Sequence, residues 1–375
     1  MAENPRPTGL YIHLPFCRSR CSYCTFTSTT ELGLLPRTVA AICRELATAA
    51  RHARRPLASV YFGGGTPSLL DETQMLALAG EIQRAFRLLP GAEITLEANP
   101  DDATPARLAL WRSAGINRIS LGVQSFSDAV LRLLDRRHDA AAALAAAQAV
   151  KDAGFALSLD LMLGLPGLGR RELEDTLART LALGPQHVSA YLLEMDKPHR
   201  LGALAQRRAD LFPDPDAAAR QYLAVGRTLV AAGYRHYEVS SFALPGHQAR
   251  HNLRYWLGLP VLAGGVAAHG QSGRQRWANT SGLATYLAAI EEGATAREWS
   301  RRLSPPEALK ESVMLGLRLA RGMHEETLER CGDIAPGLRD RLADFFALGL
   351  ARRRGRWIRL TPRGWLVSNE LLATL

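Results

Sequence analysis

From Leu10 to about Phe242, short runs of apolar residues alternate with longer amphipathic or alanine-rich stretches. The β-branched and aromatic residues of the short runs favour strands, whereas the alanines and leucines of the long stretches favour helices. The pattern predicts strands at Leu10–Leu14, Ser59–Phe62, Glu93–Glu97, Arg118–Val123, Phe155–Leu161, Val188–Leu193 and Arg235–Ser240. It predicts helices at Arg37–Arg51, Asp71–Phe86, Asp139–Ala153, Arg170–Leu183 and Asp216–Ala232. This repeat of strand and helix predicts a parallel sheet that is covered by helices.

Glycines lie in the loops that connect the predicted helices to the strands that follow them. Gly115, Gly154 and Gly233 each follow a predicted helix and precede a predicted strand by one or two residues. That is the position where a helix commonly ends in a left-handed residue. Roughly six such units predict an α/β fold, a partial (β/α)6 barrel of the TIM-like kind, with its chemistry at the carboxyl ends of the strands. We place this first domain at residues 1–242.

After Phe242 the pattern changes. Residues 243–272 are rich in glycine, histidine and aromatic residues and have no clear periodicity. From Pro305 the chain is helical and rich in arginine, and it ends in a predicted hairpin of Leu350–Arg354 and Trp357–Leu360. Helices with a small hairpin resemble a winged helix. We therefore predict a second, mostly helical domain at residues 243–375.

The composition is that of a globular protein. Of the 375 residues, 47% are hydrophobic and 22% are charged, which argues against a disordered or fibrous chain. No apolar stretch free of charge reaches the roughly 18 residues of a transmembrane helix. Residues 1–9 lack the apolar core of a secretory signal, so we expect a cytoplasmic protein.

The charge is strongly basic. Lys and Arg total 46 against 36 Asp and Glu, a net charge of +10. One interpretation is an anionic partner, such as a nucleic acid, a membrane surface or a carboxylate-rich ligand. The alternative is a compositional bias, which we prefer because the arginines are spread along the chain and only Arg352–Arg356 forms a dense run. We therefore predict no nucleic-acid partner.

Three of the five cysteines fall within eight residues, at Cys17, Cys21 and Cys24. An odd cysteine count in a cytoplasmic chain does not indicate a disulfide framework. Structural zinc requires four ligands, usually from two CxxC pairs. Three thiolates on one loop are instead typical of a 4Fe-4S cluster whose fourth iron stays open. The alternative, three unrelated structural thiols, does not explain the clustering.

Polar and glycine-rich segments follow the next four predicted strands. They are Gly63–Pro67, Leu96–Pro100, Gly122–Phe126, and Asp160–Leu161 with Gly164–Gly167. Glycines after a strand expose backbone N–H groups to a ligand. Any one of these segments is explained by an ordinary turn. Four in series predict a site at the strand ends.

The cysteine spacing, with Tyr23 before the third cysteine, resembles the signature of the radical S-adenosylmethionine superfamily. Together with the strand-end motifs it resembles the HemN/HemW branch, over nearly the whole chain. The resemblance implies a 4Fe-4S cluster on the three cysteines and S-adenosylmethionine on its open iron. It implies that Tyr11, Gly64 and Glu97 contact this S-adenosylmethionine. The positions that match a second S-adenosylmethionine site are Tyr23, Gly65, Thr66, Gln124, Arg136 and Asp160.

Two features favour the haem-chaperone side of the branch. Phe26 stands where the HemN enzymes have a fourth cysteine, and residues 251–256 match the HNxxYW motif of the chaperones. The resemblance implies haem contacts by His251, Asn252, Tyr255 and Trp256. His247 and His269 are further candidate ligands of haem iron. Thr25 departs from the family, which commonly has aspartate there.

Three functions follow as hypotheses. We prefer a haem chaperone that passes haem to a haem-requiring apoprotein, with a flavodoxin or ferredoxin as the expected electron donor. The second is an enzyme that decarboxylates coproporphyrinogen III to protoporphyrinogen IX, against which Phe26 argues. The third is an RNA-modifying enzyme, which would leave the His251–Trp256 motif unexplained. Whether S-adenosylmethionine is productively cleaved, and so whether the protein is an enzyme, stays open.

Overall fold

A twelve-stranded sheet organises the part of the chain that the structure describes. The computed structural model describes residues 6–51, 55–195, 199–332 and 334–375. The prediction that the chain has no secretory signal rests on residues 1–9, of which residues 1–5 lie outside these ranges. The strands are β1 (Thr8–Leu14), β2 (Leu57–Gly64), β3 (Leu88–Ala98), β4 (Arg118–Gln124), β5 (Ala156–Leu163), β6 (His187–Leu192), β7 (Arg235–Glu238), β8 (Ser241–Ala243), β9 (Val261–Gly265), β10 (His269–Ser272), β11 (Gln275–Asn279), β12 (Arg297–Arg302), β13 (Met323–His324), β14 (Ala351–Arg354) and β15 (Trp357–Leu360).

Helices connect and cover the strands. They are α1 (Leu35–Ala50), α2 (Glu72–Ala85), α3 (Pro105–Ser113), α4 (Asp128–Leu133), α5 (Ala140–Asp152), α6 (Arg170–Leu183), α7 (Arg200–Arg207), α8 (Pro215–Ala231), α9 (Arg250–Trp256), α10 (Leu283–Glu291), α11 (Pro305–Leu317), α12 (Glu325–Arg330), α13 (Gly337–Ala347), α14 (Pro362–Leu366) and α15 (Ser368–Leu372). The side chain of Asp71 accepts a hydrogen bond from the backbone of Gln74 and so starts α2. Among the described residues, no helix has both the length and the apolar composition needed to cross a membrane.

The order of the sheet confirms the predicted α/β class. Strands β1 to β6 lie side by side in chain order and are all parallel. The sheet stays open, since its outermost strands are β12 and β7. The fold of the described residues is therefore a partial barrel with six consecutive strand–helix units.

The predicted strand Arg235–Ser240 is wrong as a further parallel unit. Strand β7 ends at Glu238 and runs antiparallel to β8, which is itself antiparallel to β6. Only two residues join β7 to β8, and a connection between parallel strands needs about a dozen. The parallel repeat therefore ends at β6.

Residues 243–272, in which the sequence shows no periodicity, contain α9, β9 and β10. Strand β9 pairs in parallel with β1, on the side of β1 away from β2. These elements are only four to seven residues long, too short for a pattern to stand out. The main sheet thus continues past residue 242, and the division into two domains there stays a prediction.

The C-terminal region confirms the predicted hairpin and helices. Strands β14 and β15 form the hairpin, and β13 pairs with β15 as a third strand. The indole Nε1–H of Trp365 donates to the carbonyl of Leu317 and ties α14 to α11. Backbone bonds from Val239 to Arg318 and from Ala320 to Tyr237 attach this region to the edge of the main sheet.

The two faces of the parallel strands differ in polarity. On the face that packs against the helices, Leu10, Ile12 and Leu14 of β1 are completely or almost completely buried. We call the opposite side the inner face. The strand register places on it Tyr11, His13, Ser59, Tyr61, Gly63, Glu93, Thr95, Glu97, Arg118, Ser120, Gly122, Ser158, Asp160, Met162, His187, Ser189 and Tyr191. Parallel strands that are packed on both sides are normally apolar throughout, so this polar face is the lining of a site.

Candidate functional site

The loop that carries the three clustered cysteines follows β1 directly. Backbone hydrogen bonds hold it from both sides: Cys17 N–H donates to the Thr29 carbonyl at 2.9 Å, and Ser22 N–H donates to the Leu134 carbonyl at 3.3 Å. Cys17 is buried, whereas Cys21 and Cys24 are half-buried. The loop therefore has a fixed path, with three thiols at the carboxyl end of the first strand.

The surroundings of the thiols fit an iron–sulfur cluster. Thr66 Oγ1 donates to Cys17 Sγ at 3.5 Å, and Arg136 Nη1 donates to Cys21 Sγ at 3.3 Å. Burial raises the pKa of the Cys17 and Cys24 thiols, so cluster binding has to displace their protons. Among the described residues, no three His, Cys, Asp or Glu side chains are arranged to hold a single metal ion. A cubane places each thiolate on a different iron and so suits three cysteines that are spread along a loop.

The glycine loop after β2 lies against the cysteine loop. Gly65 N–H donates to the Leu14 carbonyl at 2.8 Å, and a Cβ at Gly65 would lie 2.7 Å from the backbone oxygen of Phe16. Gly64 has a φ of 113°, which a residue with a side chain rarely adopts. Its N–H donates to Glu97 Oε2 at 3.2 Å. The two predicted glycines therefore join the cysteine loop to the Glu97 carboxyl group.

Two acidic side chains lie on the inner face near these loops. Glu97 accepts a 2.7 Å hydrogen bond from the Tyr61 hydroxyl, and Asp160 accepts from Ser120 Oγ at 3.0 Å. Burial raises the pKa of Glu97 to about 7 and that of Asp160 to about 6. Carboxyl groups with raised pKa values are typical of sites that receive a ligand. A cationic group at this position would compensate their buried charge.

The raised pKa of Glu97 predicts a pH-dependent stability of the ligand-free protein. The native state holds this proton more tightly than the unfolded chain, so the free energy of unfolding falls as pH rises from about 4.5 to about 7. The expected loss is about 1–3 kcal/mol, because the carboxyl group keeps some contact with solvent. Urea unfolding of the wild type and Glu97→Gln at several pH values measures it. We expect the variant to lose this part of the pH slope; parallel profiles for the two proteins would contradict the assignment.

Arg136 connects the other predicted residues. Its Nη2 donates to Asn99 Oδ1 at 2.7 Å and to the Gly122 carbonyl at 2.6 Å, and its Nη1 donates to the Tyr23 hydroxyl at 3.4 Å. Asn99 Nδ2 in turn donates to Thr66 Oγ1 at 3.4 Å. The adjacent Arg137 points elsewhere and forms an ion pair with Asp101. The structure thus brings Tyr23, Thr66 and Arg136 together beside the cysteine loop.

Gln124 ends β4 in an unusual conformation. Its φ of 69° is left-handed, although it is not a glycine. Such a conformation costs free energy and is concentrated at functional sites. Gln124 thus lies at the end of its strand, within the predicted strand-end segment Gly122–Phe126.

The His251–Trp256 motif forms α9, which packs against the inner face. The backbone N–H groups of Arg250 and His251 donate to the Glu93 carboxylate at 2.9 and 2.8 Å. The His251 ring is only 1% exposed and lies 5.2 Å from the Tyr61 ring, centroid to centroid. Its Nδ1 is bonded to Ser59 Oγ at 3.0 Å and its Nε2 to the Tyr255 hydroxyl at 3.3 Å. Burial lowers the pKa of His251 to about 3, so the ring is neutral.

The other members of the motif are more accessible than His251. Asn252, Tyr255 and Trp256 are half-buried. His247 is exposed in the turn before α9, and His269 is exposed on β10, where its ring lies 5.9 Å from that of Trp299. Phe26 is 69% exposed. The three candidate histidines therefore occupy different surroundings.

Sequence reasoning did not single out Glu93 and Arg118 of the inner face as site residues, and it named Asn99 only as part of the segment Leu96–Pro100. Their signal is the alternation of polar and apolar residues in strands that a parallel sheet would normally make apolar. Arg118-Ile-Ser-Leu-Gly in β4 shows this alternation.

The fold and the cysteine loop define the class. Residues 11–180 match the family model described as the radical SAM superfamily, and residues 303–367 match the HemN C-terminal domain. The solved structure of coproporphyrinogen III oxidase HemN from Escherichia coli superposes with a TM-score of 0.86, covering 99% of this chain and 90% of that one. At 24% identity, this likeness shows the fold.

Curated relatives narrow the class. Heme chaperone HemW of Mycobacterium tuberculosis is 38% identical over 99% of this chain and 95% of that protein. HemW of Bacillus subtilis is 32% identical over 96% and 97% of the two chains. The mouse radical S-adenosyl methionine domain-containing protein 1, mitochondrial, is 35% identical over 98% of this chain and 87% of that protein. The chain belongs to the HemW family.

Proposed function

We propose that this protein is a haem chaperone, which binds haem and passes it to haem-requiring apoproteins. The observation that carries the proposal is its 38% identity to a curated haem chaperone over almost the full length of both chains. Phe26 at the position of the fourth cysteine and the His251–Trp256 motif support it, because both features distinguish the chaperone side of the branch.

We infer that the resident cofactors are a 4Fe-4S cluster and S-adenosylmethionine. Cys17, Cys21 and Cys24 would hold the cluster, which supplies one-electron chemistry when bound. Tyr11, Gly64 and Glu97 would contact the S-adenosylmethionine on its open iron. The inward carboxyl group of Glu97 suits the ammonium group of that ligand. A second molecule would be held by the set Tyr23, Gly65, Thr66, Gln124, Arg136 and Asp160.

The proposed haem contacts lie on α9. Tyr255 and Trp256 are accessible enough to pack on a macrocycle. His251 would reach haem iron only after its hydrogen bonds to Ser59 and Tyr255 are broken. The electron donor, the cytoplasmic location and the absence of a nucleic-acid partner stay predictions.

Haem titration tests the proposed function. We expect the purified protein to bind haem and to shift its Soret band. We also expect it to release haem to a haem-free recipient protein, which is kept apart by a membrane or carries a tag so that it can be removed and measured. A His251→Ala variant with an altered Soret position would support ligation by this imidazole; an unchanged position assigns the iron ligand elsewhere. Failure of the wild type to bind haem would refute the chaperone function.

An anaerobic turnover assay tests the competing enzyme. Reconstituted protein receives S-adenosylmethionine, a reductant and coproporphyrinogen III, and mass spectrometry follows both substrates. We expect the porphyrinogen to be recovered intact from protein that carries a full cluster. Loss of two carboxyl groups with matching 5′-deoxyadenosine would identify a coproporphyrinogen dehydrogenase instead.

A further inference from the structure

The inner face contains a buried arginine without a directly bonded ion-pair partner among the described residues. Arg118, the first residue of β4, is only 5% exposed. In the described ranges, no carboxylate lies within ion-pair distance of its guanidinium group, and no hydrogen bond from this group is formed. A buried charge without a partner costs several kcal/mol of solvation free energy. Such a group is expected to gain a partner when a ligand binds.

The acidic groups around Arg118 are bonded elsewhere. Glu93 accepts the two backbone N–H groups at the start of α9. Glu97 is bonded to Tyr61 and to the glycine loop, and Asp160 is bonded to Ser120. Each carboxyl group therefore has its own donors. Burial raises the pKa of Glu97 and Asp160, and the charge of Arg118 offsets part of this rise from a distance, but neither carboxyl group accepts a hydrogen bond from Arg118.

The neighbouring histidines provide no negative charge either. His187 is bonded through Nδ1 to Ser158 and through Nε2 to the Tyr237 hydroxyl, both at 2.8 Å. His251 is bonded to Ser59 and Tyr255. Both rings are neutral, since burial lowers the pKa of each, assisted by the charge of Arg118 at His187 and by those of Arg254 and Arg118 at His251. These two histidines therefore form hydrogen bonds with groups other than Arg118.

A second unpartnered group lies beside Arg118. Thr95 is its register neighbour on β3, and Thr95 Oγ1 is buried without a hydrogen-bond partner. Buried hydroxyl groups are almost always hydrogen-bonded. Two unpaired donors on adjacent strands, one of them cationic, match the two oxygens of a carboxylate.

The site is connected to an accessible interior. Tyr191, on the same face two strands away, is 41% exposed, and Glu97 and Asp160 are half-buried. Arg118 begins its strand, whereas Gln124 and the glycine loop lie at strand ends. Arg118 therefore lies deeper in the barrel than the proposed S-adenosylmethionine contacts.

We propose that Arg118 and Thr95 bind a carboxylate of a ligand held inside the barrel, and that this carboxylate is a propionate of haem. This inference rests on the proposed haem-chaperone function. The charge and the two donors supply the carboxylate recognition, and α9 with Tyr255 borders the same interior. The α-carboxylate of S-adenosylmethionine has the same chemistry, so the experiment has to distinguish the two sources.

The test compares Arg118→Met with a matched variant, Arg254→Met. Arg254 is similarly buried, at 6% exposed, but its guanidinium donates to the backbone carbonyls of Pro7 and Pro260. Thermal unfolding of the ligand-free proteins should show Arg118→Met as stable as the wild type or more so, and Arg254→Met as destabilised. Titrations with haem and with haem dimethyl ester, whose propionates are blocked, then measure the carboxylate preference. We expect a preference for haem of about ten- to a hundredfold in the wild type and none in Arg118→Met.

Three outcomes overturn the inference. The first two are an Arg118→Met variant that keeps the wild-type preference for haem over its ester, and an Arg118→Met variant that unfolds at a lower temperature, as Arg254→Met is expected to do. A loss of S-adenosylmethionine affinity with unchanged haem affinity would assign Arg118 to S-adenosylmethionine. If the wild type binds neither haem nor its ester, the proposed function itself fails, a result that differs from binding without a carboxylate preference.

Discussion

Replacing Cys17, Cys21 and Cys24 together by alanine is expected to abolish the iron–sulfur chromophore after anaerobic reconstitution. Each thiolate would bind a different iron, and alanine offers no ligand. The fold should survive, because the loop is also held by backbone hydrogen bonds at Cys17 and Ser22. Iron and sulfide analysis, with circular dichroism on the same samples, measures both expectations.

The remaining cysteines supply the control. Cys43 lies in α1 with its thiol near the Ala77 carbonyl, and Cys331 is buried at the end of α12. Neither belongs to the cysteine loop, so Cys43→Ala with Cys331→Ala should retain the full iron content. An unchanged iron content in the triple variant would refute the cluster assignment.

The parts of the site that could be predicted from sequence are those encoded locally. The spacing of Cys17, Cys21 and Cys24 and the run Gly63–Gly65 can be read directly, because both loops follow strands with strong apolar patterns. Long periodic segments were also predicted well: α1, α2, α5, α6 and α8 begin and end within two residues of their predicted bounds. Local pattern is informative where one segment carries the whole signal.

The remaining parts depend on contacts that are distant in sequence. The pairing of β9 with β1 joins residues about 250 positions apart and leaves no local signal. The orientation of His251 on α9 is set by Ser59 and Tyr61 of β2 and by Glu93 of β3. Its spacing to Tyr255 could be seen in the sequence, but the burial of the ring could not. Strand propensity predicts that β7 is a strand but not which way it runs. Its antiparallel direction follows from the short connection between β7 and β8.

The inner face combines both kinds of information. The alternation in β4 is visible in the sequence, but only the strand register shows that Arg118 lies beside Thr95, whose buried Oγ1 has no hydrogen-bond partner. A polar face in a parallel sheet has to be filled by water or ligand. The cysteine loop and α9 both border this face, so the proposed cofactors and cargo would share one interior.

A methyl group at Gly65 is expected to disrupt the cysteine loop. A Cβ there would lie 2.7 Å from Phe16 O, 2.8 Å from Phe16 N and 2.9 Å from Pro15 C. All three are backbone atoms, so the contact is relieved only by moving the chain that leads into Cys17. Overpacking of this kind costs roughly 1–3 kcal/mol. Gly65→Ala should therefore lower thermal stability and reduce both iron incorporation and S-adenosylmethionine affinity.

Gly80→Ala is the matched control, because it adds the same methyl group where nothing lies within 4 Å. Gly80 lies within α2 and is exposed, and alanine in a helix is favoured over glycine by about 1 kcal/mol. This variant should be slightly more stable than the wild type and should bind a full cluster. Equal iron content and equal thermal midpoints for the two variants would show that the glycine loop does not fix the path of the cysteine loop. A loss at Gly65 alone would mean that the contact between these loops positions the first cysteine for the cluster.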